Sequence, residues 1–115
     1  ESNLAGGEPA ANVQATLLAL SATSIASAIE RWCGMPDELA VCGGGAHNST
    51  LLKHLSLLLP NTRIITSDVL GIGVDWVEAA AFAWLARQNL MGLPGNLPAV
   101  TGARGERILG AVYPR

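Results

Sequence analysis

The sequence predicts an α/β fold, and three observations carry that prediction. Apolar residues recur at helical spacing in three separate tracts, two short runs carry strand composition, and the first of those runs empties into three consecutive glycines. The glycine run is the most informative feature. Leu39-Ala40-Val41-Cys42 leads into Gly43-Gly44-Gly45-Ala46-His47-Asn48, which reads as a strand, a backbone-only turn and a helix start. Residues without side chains at the carboxyl end of a strand let a flat or anionic ligand lie on the main chain, with free N–H groups facing it. Such a turn suits a nucleotide.

The first element is a helix over about 9–32, with apolar residues at Val13, Leu17, Leu20, Ile25, Ile29 and Trp32, Pro9 suited to its first turn and Gly34 to its stop. Met35-Pro36-Asp37-Glu38 turns the chain into a strand over about 39–42. Asn48 or Ser49 is placed to cap a second helix, about 48–59, which Pro60 ends. Arg63-Ile64-Ile65-Thr66 has the β-branched content of a second strand, about 63–66. The loop from Ser67 to Val74 leads to a third helix over about 75–90. Residues 92–115 form an irregular tail rich in Gly and Pro, with Ile108 to Tyr113 as a short last strand before Pro114. The predicted order is α-β-α-β-α.

Composition excludes several function classes. With seven Lys and Arg among 115 residues and a net charge of −2, the chain lacks the basic stripe that nucleic acid requires. The longest apolar tract, Leu17 to Ile29, is interrupted by Ser21, Thr23, Ser24 and Ser27, which makes it too polar and too short for a membrane span. Glu1 to Pro9 has no basic and apolar signal pattern, so a cytoplasmic location is expected. Cys33 and Cys42 match neither a redox pair nor metal-ligand spacing and are expected to be reduced and structural. Two or three short strands do not fill a sheet that must be covered on both faces. The chain is therefore expected to be part of a longer protein, with strands preceding Glu1 completing the sheet.

Gly43 to Asn48 reads as G-x-G-x-x-N, one residue from the dinucleotide fingerprint, and Asp68 lies 20 residues after Asn48, near where a ribose-binding carboxylate is placed. Against this, the side chain of Asn48 stands where a third glycine permits close packing, and a long helix precedes the first strand. A purely structural glycine turn is the third possibility, and on these residues alone all three stay open.

Four separated motifs carry a resemblance to a known family: Val13-Gln14-Ala15-Thr16-Leu17, Val41 to Asn48, Glu78-Ala79-Ala80-Ala81-Phe82-Ala83-Trp84-Leu85-Ala86, and Leu93-Pro94-Gly95-Asn96-Leu97-Pro98-Ala99-Val100-Thr101-Gly102-Ala103. In this order they resemble the C-terminal third of anhydro-N-acetylmuramic acid kinases, over about Pro9 to Pro114. That resemblance implies a portion of a ribonuclease-H-like, actin-like ATPase domain of the sugar kinase, Hsp70 and actin superfamily. It implies ATP and Mg2+ as cofactors and 1,6-anhydro-N-acetylmuramic acid as substrate, phosphorylated at O6 while water opens the anhydro bridge, giving N-acetylmuramic acid 6-phosphate in cell-wall recycling. A homodimer and an upstream N-terminal part of the same enzyme are implied partners. Gly43, Gly44, Gly45 and Asn48 take nucleoside contact by this likeness. No catalytic residue is identifiable in the chain, because the phosphate-binding loop and catalytic aspartate of similar enzymes lie upstream of the matching region. The chain alone is expected to be inactive.

Glu78, at the head of the third helix, has two readings. In similar kinases a glutamate at this place contacts the sugar, whereas Asp75 and Glu78 have the D-x-x-E spacing of a capping box. Asp68 reads as a solvated loop residue or cap. His47 reads as a local packing residue, with no nucleophile or carboxylate at a telling spacing, and His54 as a core-edge residue among leucines. Trp32, Trp76, Phe82 and Trp84 have apolar neighbours and read as packing residues. Asn96 reads as a turn former. Two further functions remain for comparison: a non-catalytic nucleotide-binding module, and a fragment of an NAD-binding oxidoreductase.

Overall fold

A computed structural model describes residues 7–113. Of the segment read as lacking a signal, residues 1–6 lie outside the described part, as does Pro114. The elements are α1 (Ala10–Cys33), β1 (Glu38–Val41), α2 (Ser49–Leu58), β2 (Arg63–Thr66), α3 (Val77–Leu90) and α4 (Pro98–Thr101), with 3-10 turns at Gly44–His47 and Ser67–Leu70. The predicted α-β-α-β-α order is present, and α/β is the fold class. The chain divides between Val74 and Asp75 into two compact units.

The first unit is built on a parallel pair of strands. β1 and β2 align Glu38 with Arg63, Leu39 with Ile64, Ala40 with Ile65 and Val41 with Thr66. α2 supplies the crossover that a parallel pair requires. Outside the ladder, the Arg63 N–H donates to the Asp37 carbonyl at 2.9 Å, and buried Thr62 donates its hydroxyl to the Pro36 carbonyl at 2.7 Å. Glu38 and Arg63 form an ion pair across the strand starts. Leu55 and Leu59 are the fully buried large side chains, joined by Ala22, Ala26, Ala46 and Val74.

α1 begins after Pro9, whose carbonyl accepts from the Asn12 N–H, and ends at Gly34. Small residues let it lie close on α2: Ala22 and Ala26 are its buried positions. Of its polar residues, Thr16 and Ser21 donate their hydroxyls to the carbonyls four residues back. The helix runs well beyond Leu17–Ile29, and at 24 residues it is long and apolar enough, by length and composition, to cross a membrane.

The second unit holds α3, the one-turn α4 and the segment folded back on them. Asn96 is a long-range staple and more than a turn former: its amide donates to the Gly105 carbonyl at 3.1 Å, and its oxygen accepts the Arg107 N–H at 2.6 Å. Gly95 is packed so closely that an added Cβ would stand 3.0 Å from Leu85 Cδ2. The expected strand over Ile108–Tyr113 is absent. Asn89 Nδ2 occupies the Leu109 carbonyl at 2.7 Å, Gly110 adopts a φ of +88°, and no strand of this unit lies beside the segment to pair with it.

The aromatic side chains also depart from expectation. Trp32 is 76% exposed, Trp76 70%, Phe82 63% and Trp84 49%. Their neighbours in sequence are apolar, but these two units provide too few layers to cover them. The Arg31 guanidinium instead lies 5.0 Å from the Trp32 ring centre. Cys33 and Cys42 are free thiols, and both are exposed where packing was expected.

Candidate functional site: a glycine turn at the carboxyl end of a parallel strand

The turn after β1 is shaped by backbone bonds. Gly43 has φ +68° and ψ −169°, a conformation essentially restricted to glycine. Its N–H donates to the Val74 carbonyl at 2.8 Å, and its carbonyl accepts from Ala46 N–H at 3.0 Å, closing the 3-10 turn. The expectation of three free glycine N–H groups is therefore corrected, since Gly43 spends its donor on fixing the turn to the residue where the first unit ends. Gly44 and Gly45 begin the 3-10 turn and carry the donors that any helical start leaves without an internal partner.

Space above the turn is open. A Cβ built on Gly43 or Gly44 meets nothing within 4 Å, while one on Gly45 would lie 3.7 Å from Leu51 Cδ2. Ala46 is buried beneath the turn, and His47 closes it with an exposed side chain. Asn48 is the N-cap of α2, its Oδ1 accepting the Leu51 N–H at 3.0 Å. The side chain that argued against a dinucleotide fingerprint is thus the one that starts the helix. A groove of about 290 Å3 lies between α1 and the start of α2, lined by Gln14, Leu17, Leu18, Ser21, Asn48 and Leu51. Gln14 and Leu17 belong to a motif quoted for the family likeness, but the groove itself depends on two helices meeting and has no signal in spacing.

The remaining candidates are placed as follows. Asp68 is exposed in the 3-10 turn after β2, and its carbonyl accepts the Gly71 N–H. His54 is half-buried on α2, at the edge of the core as expected. Glu78 belongs to the second unit and is exposed in the first turn of α3. The regular helix runs from Val77, but Trp76 before it already has helical dihedrals (φ −101°, ψ −12°), so Asp75 precedes the first helical residue and Glu78 stands third after it, the spacing of a capping box. Glu78 therefore keeps both of its readings, sugar contact and capping. No group of three or more His, Cys, Asp or Glu side chains capable of holding a metal occurs among the described residues.

Comparison with known proteins decides the family. The profile of the anhydro-N-acetylmuramic acid kinase family matches residues 1–115. The chain belongs to this family. Among curated relatives named anhydro-N-acetylmuramic acid kinase, that of Thiobacillus denitrificans is 59% identical over 102 residues, covering 89% of this chain and 27% of the relative. That of Nitrosospira multiformis is 53% identical over 114 residues, covering 99% and 31%, and that of Nitrosomonas europaea is 55% identical over 111 residues, covering 96% and 31%. The chain thus spans about 30% of the length of these kinases. Membership in the family sets aside the NAD-binding oxidoreductase.

Proposed function

We propose that this chain is the nucleotide-side portion of an ATP-dependent kinase that phosphorylates 1,6-anhydro-N-acetylmuramic acid. The observation that carries the reading is the turn from Gly43 to Asn48. A chain of this kinase family places an open, side-chain-free turn at the carboxyl end of a parallel strand, where α/β proteins take their ligands. The portion belongs to an actin-like ATPase domain whose remaining strands, phosphate-binding loop and catalytic aspartate come from the rest of the enzyme.

The chemistry divides between the two portions. ATP supplies the phosphoryl group for O6 of the sugar, and water opens the anhydro bridge. The glycine turn fits the nucleoside half of ATP, because Gly44 and Gly45 offer backbone donors and no side chain stands over Gly43 or Gly44. No cluster of three or more His, Cys, Asp or Glu able to hold a metal occurs among the described residues, and we derive no step through Mg2+ from this chain. Glu78 is proposed to contact the sugar, supported by its exposed position in the first turn of α3. The enzyme acts as a homodimer in the cytoplasm, where its soluble sugar substrate is recycled.

The test is ADP release from Mg-ATP by the complete kinase containing this chain, with Gly44→Leu as the site variant. Sugar-dependent release that is lost in the variant, with the fold intact, supports the assignment. Unchanged release in the variant removes the nucleotide from this turn. ADP binding without any sugar-dependent turnover would favour a non-catalytic nucleotide-binding module.

A further inference from the structure

Among the described residues no strand pairs with the outer edge of β2. Along a strand the backbone N–H and C=O groups point to alternate sides from one residue to the next. The Arg63 N–H donates to the Asp37 carbonyl on the β1 side, so Ile65 faces β1 as well, and Ile64 and Thr66 turn their N–H groups outward. A bare edge is a template for another strand, and no proline or bulge interrupts this one. A groove of about 530 Å3 runs along it, with Leu52 and Leu57 of α2 and Ile64 and Ile65 of β2 as apolar walls. Leu57 is 79% exposed there. Lys53, the one charged residue lining the groove, is exposed, so its stem can cover apolar surface while the ammonium stays in water.

The two ends of this strand carry opposite charge. Arg63 opens it with a side chain 69% exposed despite its ion pair with Glu38, and Asp68 stands exposed just past its end. A second copy laid antiparallel brings each Arg63 end to the other's Asp68 end, whereas a parallel copy sets like charge beside like. Antiparallel pairing is also self-complementary in hydrogen bonds, since Ile64 can donate its N–H to the same residue of the second copy and accept the reciprocal bond. A two-fold axis normal to the sheet then places both α2 helices on one face, where Leu57 of each copy is covered.

We propose that β2 pairs with β2 of a second copy, making one continuous sheet across a dimer, with the far edge of β1 left to the enzyme's remaining strands. The proposal names the face of the homodimer put forward above and rests on that reading.

The test combines sedimentation equilibrium of the complete kinase with amide hydrogen exchange. The parent should be a dimer in which the Ile64 and Thr66 amides exchange slowly, and exchange faster on dilution to the monomer, while those of Arg63 and Ile65, facing β1, stay slow throughout. Leu57→Lys, at an exposed position that does not threaten the fold, should raise the dimer dissociation constant by roughly tenfold or more. Asp68→Lys should weaken the dimer in low salt and much less in high salt. An unshifted dissociation constant in either variant, or fast exchange at Ile64 and Thr66 within the dimer, overturns the β2 face while leaving a homodimer standing. Slow exchange at both amides in the monomer places another segment of the same enzyme on this edge and overturns the proposal too. A parent that stays monomeric at micromolar concentration overturns the homodimer as well.

Discussion

Substituting adjacent glycines in the turn separates what the backbone needs from what a ligand needs. Gly43 has φ +68° and ψ −169°, a region other residues occupy only under strain of about 1–3 kcal/mol. A Cβ there meets no atom within 4 Å, so strain and not collision sets the cost of Gly43→Ala. In a complete kinase some three times the length of this chain, each 1 kcal/mol lowers the melting temperature by roughly 2–4 °C or less, and the variant should melt a few degrees early. Gly44 is not in the positive-φ region and has the same open space, so Gly44→Leu should melt within about 2 °C of the unaltered protein, the span of an ordinary surface change. The two variants should behave oppositely toward nucleotide. In Gly44→Leu the new isobutyl group would project into the open space that the proposed function assigns to the nucleoside, and should weaken ADP at least tenfold. Gly43→Ala should retain most ADP affinity at temperatures where it is folded. The assay is thermal unfolding by circular dichroism paired with ADP calorimetry on each variant of the complete kinase. A Gly43→Ala protein as stable as the parent, or a Gly44→Leu protein with parental ADP affinity, refutes the reasoning.

Three further outcomes follow from the geometry. Asn48→Ala removes the α2 cap and should cost about 1 kcal/mol in chemical denaturation, whereas Asn48→Gly should cost only a few tenths. Gly95→Ala forces a methyl against Leu85 and Leu109, at 3.0 and 3.3 Å, and should destabilise by about 1–3 kcal/mol, read in the same denaturation experiment. Glu78→Gln should leave stability within about 0.5 kcal/mol, the span of an ordinary exposed substitution, and should reduce sugar turnover more than nucleotide affinity in steady-state kinetics.

The element order was legible because helical and strand periods are local. The two strands, the α2 cap at Asn48 and the stop at Gly34 all follow from residues within a few positions of one another. What could not be read depends on distant partners. The Gly43 donor is taken by Val74, 31 positions away, which no turn chemistry foretells. Ile108–Tyr113 has strand composition, but composition cannot supply a neighbouring strand, and Asn89 holds its carbonyl instead. The Gly- and Pro-rich stretch concealed α4, although Pro98 at its first turn and Gly102 at its end are helix signals. The aromatic residues were misjudged because apolar neighbours in sequence do not become a core without enough layers around them. Of the site, the glycine turn was visible as a strand running into residues without side chains, while the groove beside it required α1 to be placed against α2.

The most direct test of the central claim is ADP release from Mg-ATP by the complete kinase, measured with and without 1,6-anhydro-N-acetylmuramic acid and repeated with Gly44→Leu. Sugar-dependent release in the parent, abolished in a variant that remains folded, is the predicted result. Release that is independent of the sugar, or equal in parent and variant, would contradict the assignment of this chain to the nucleotide side of the kinase.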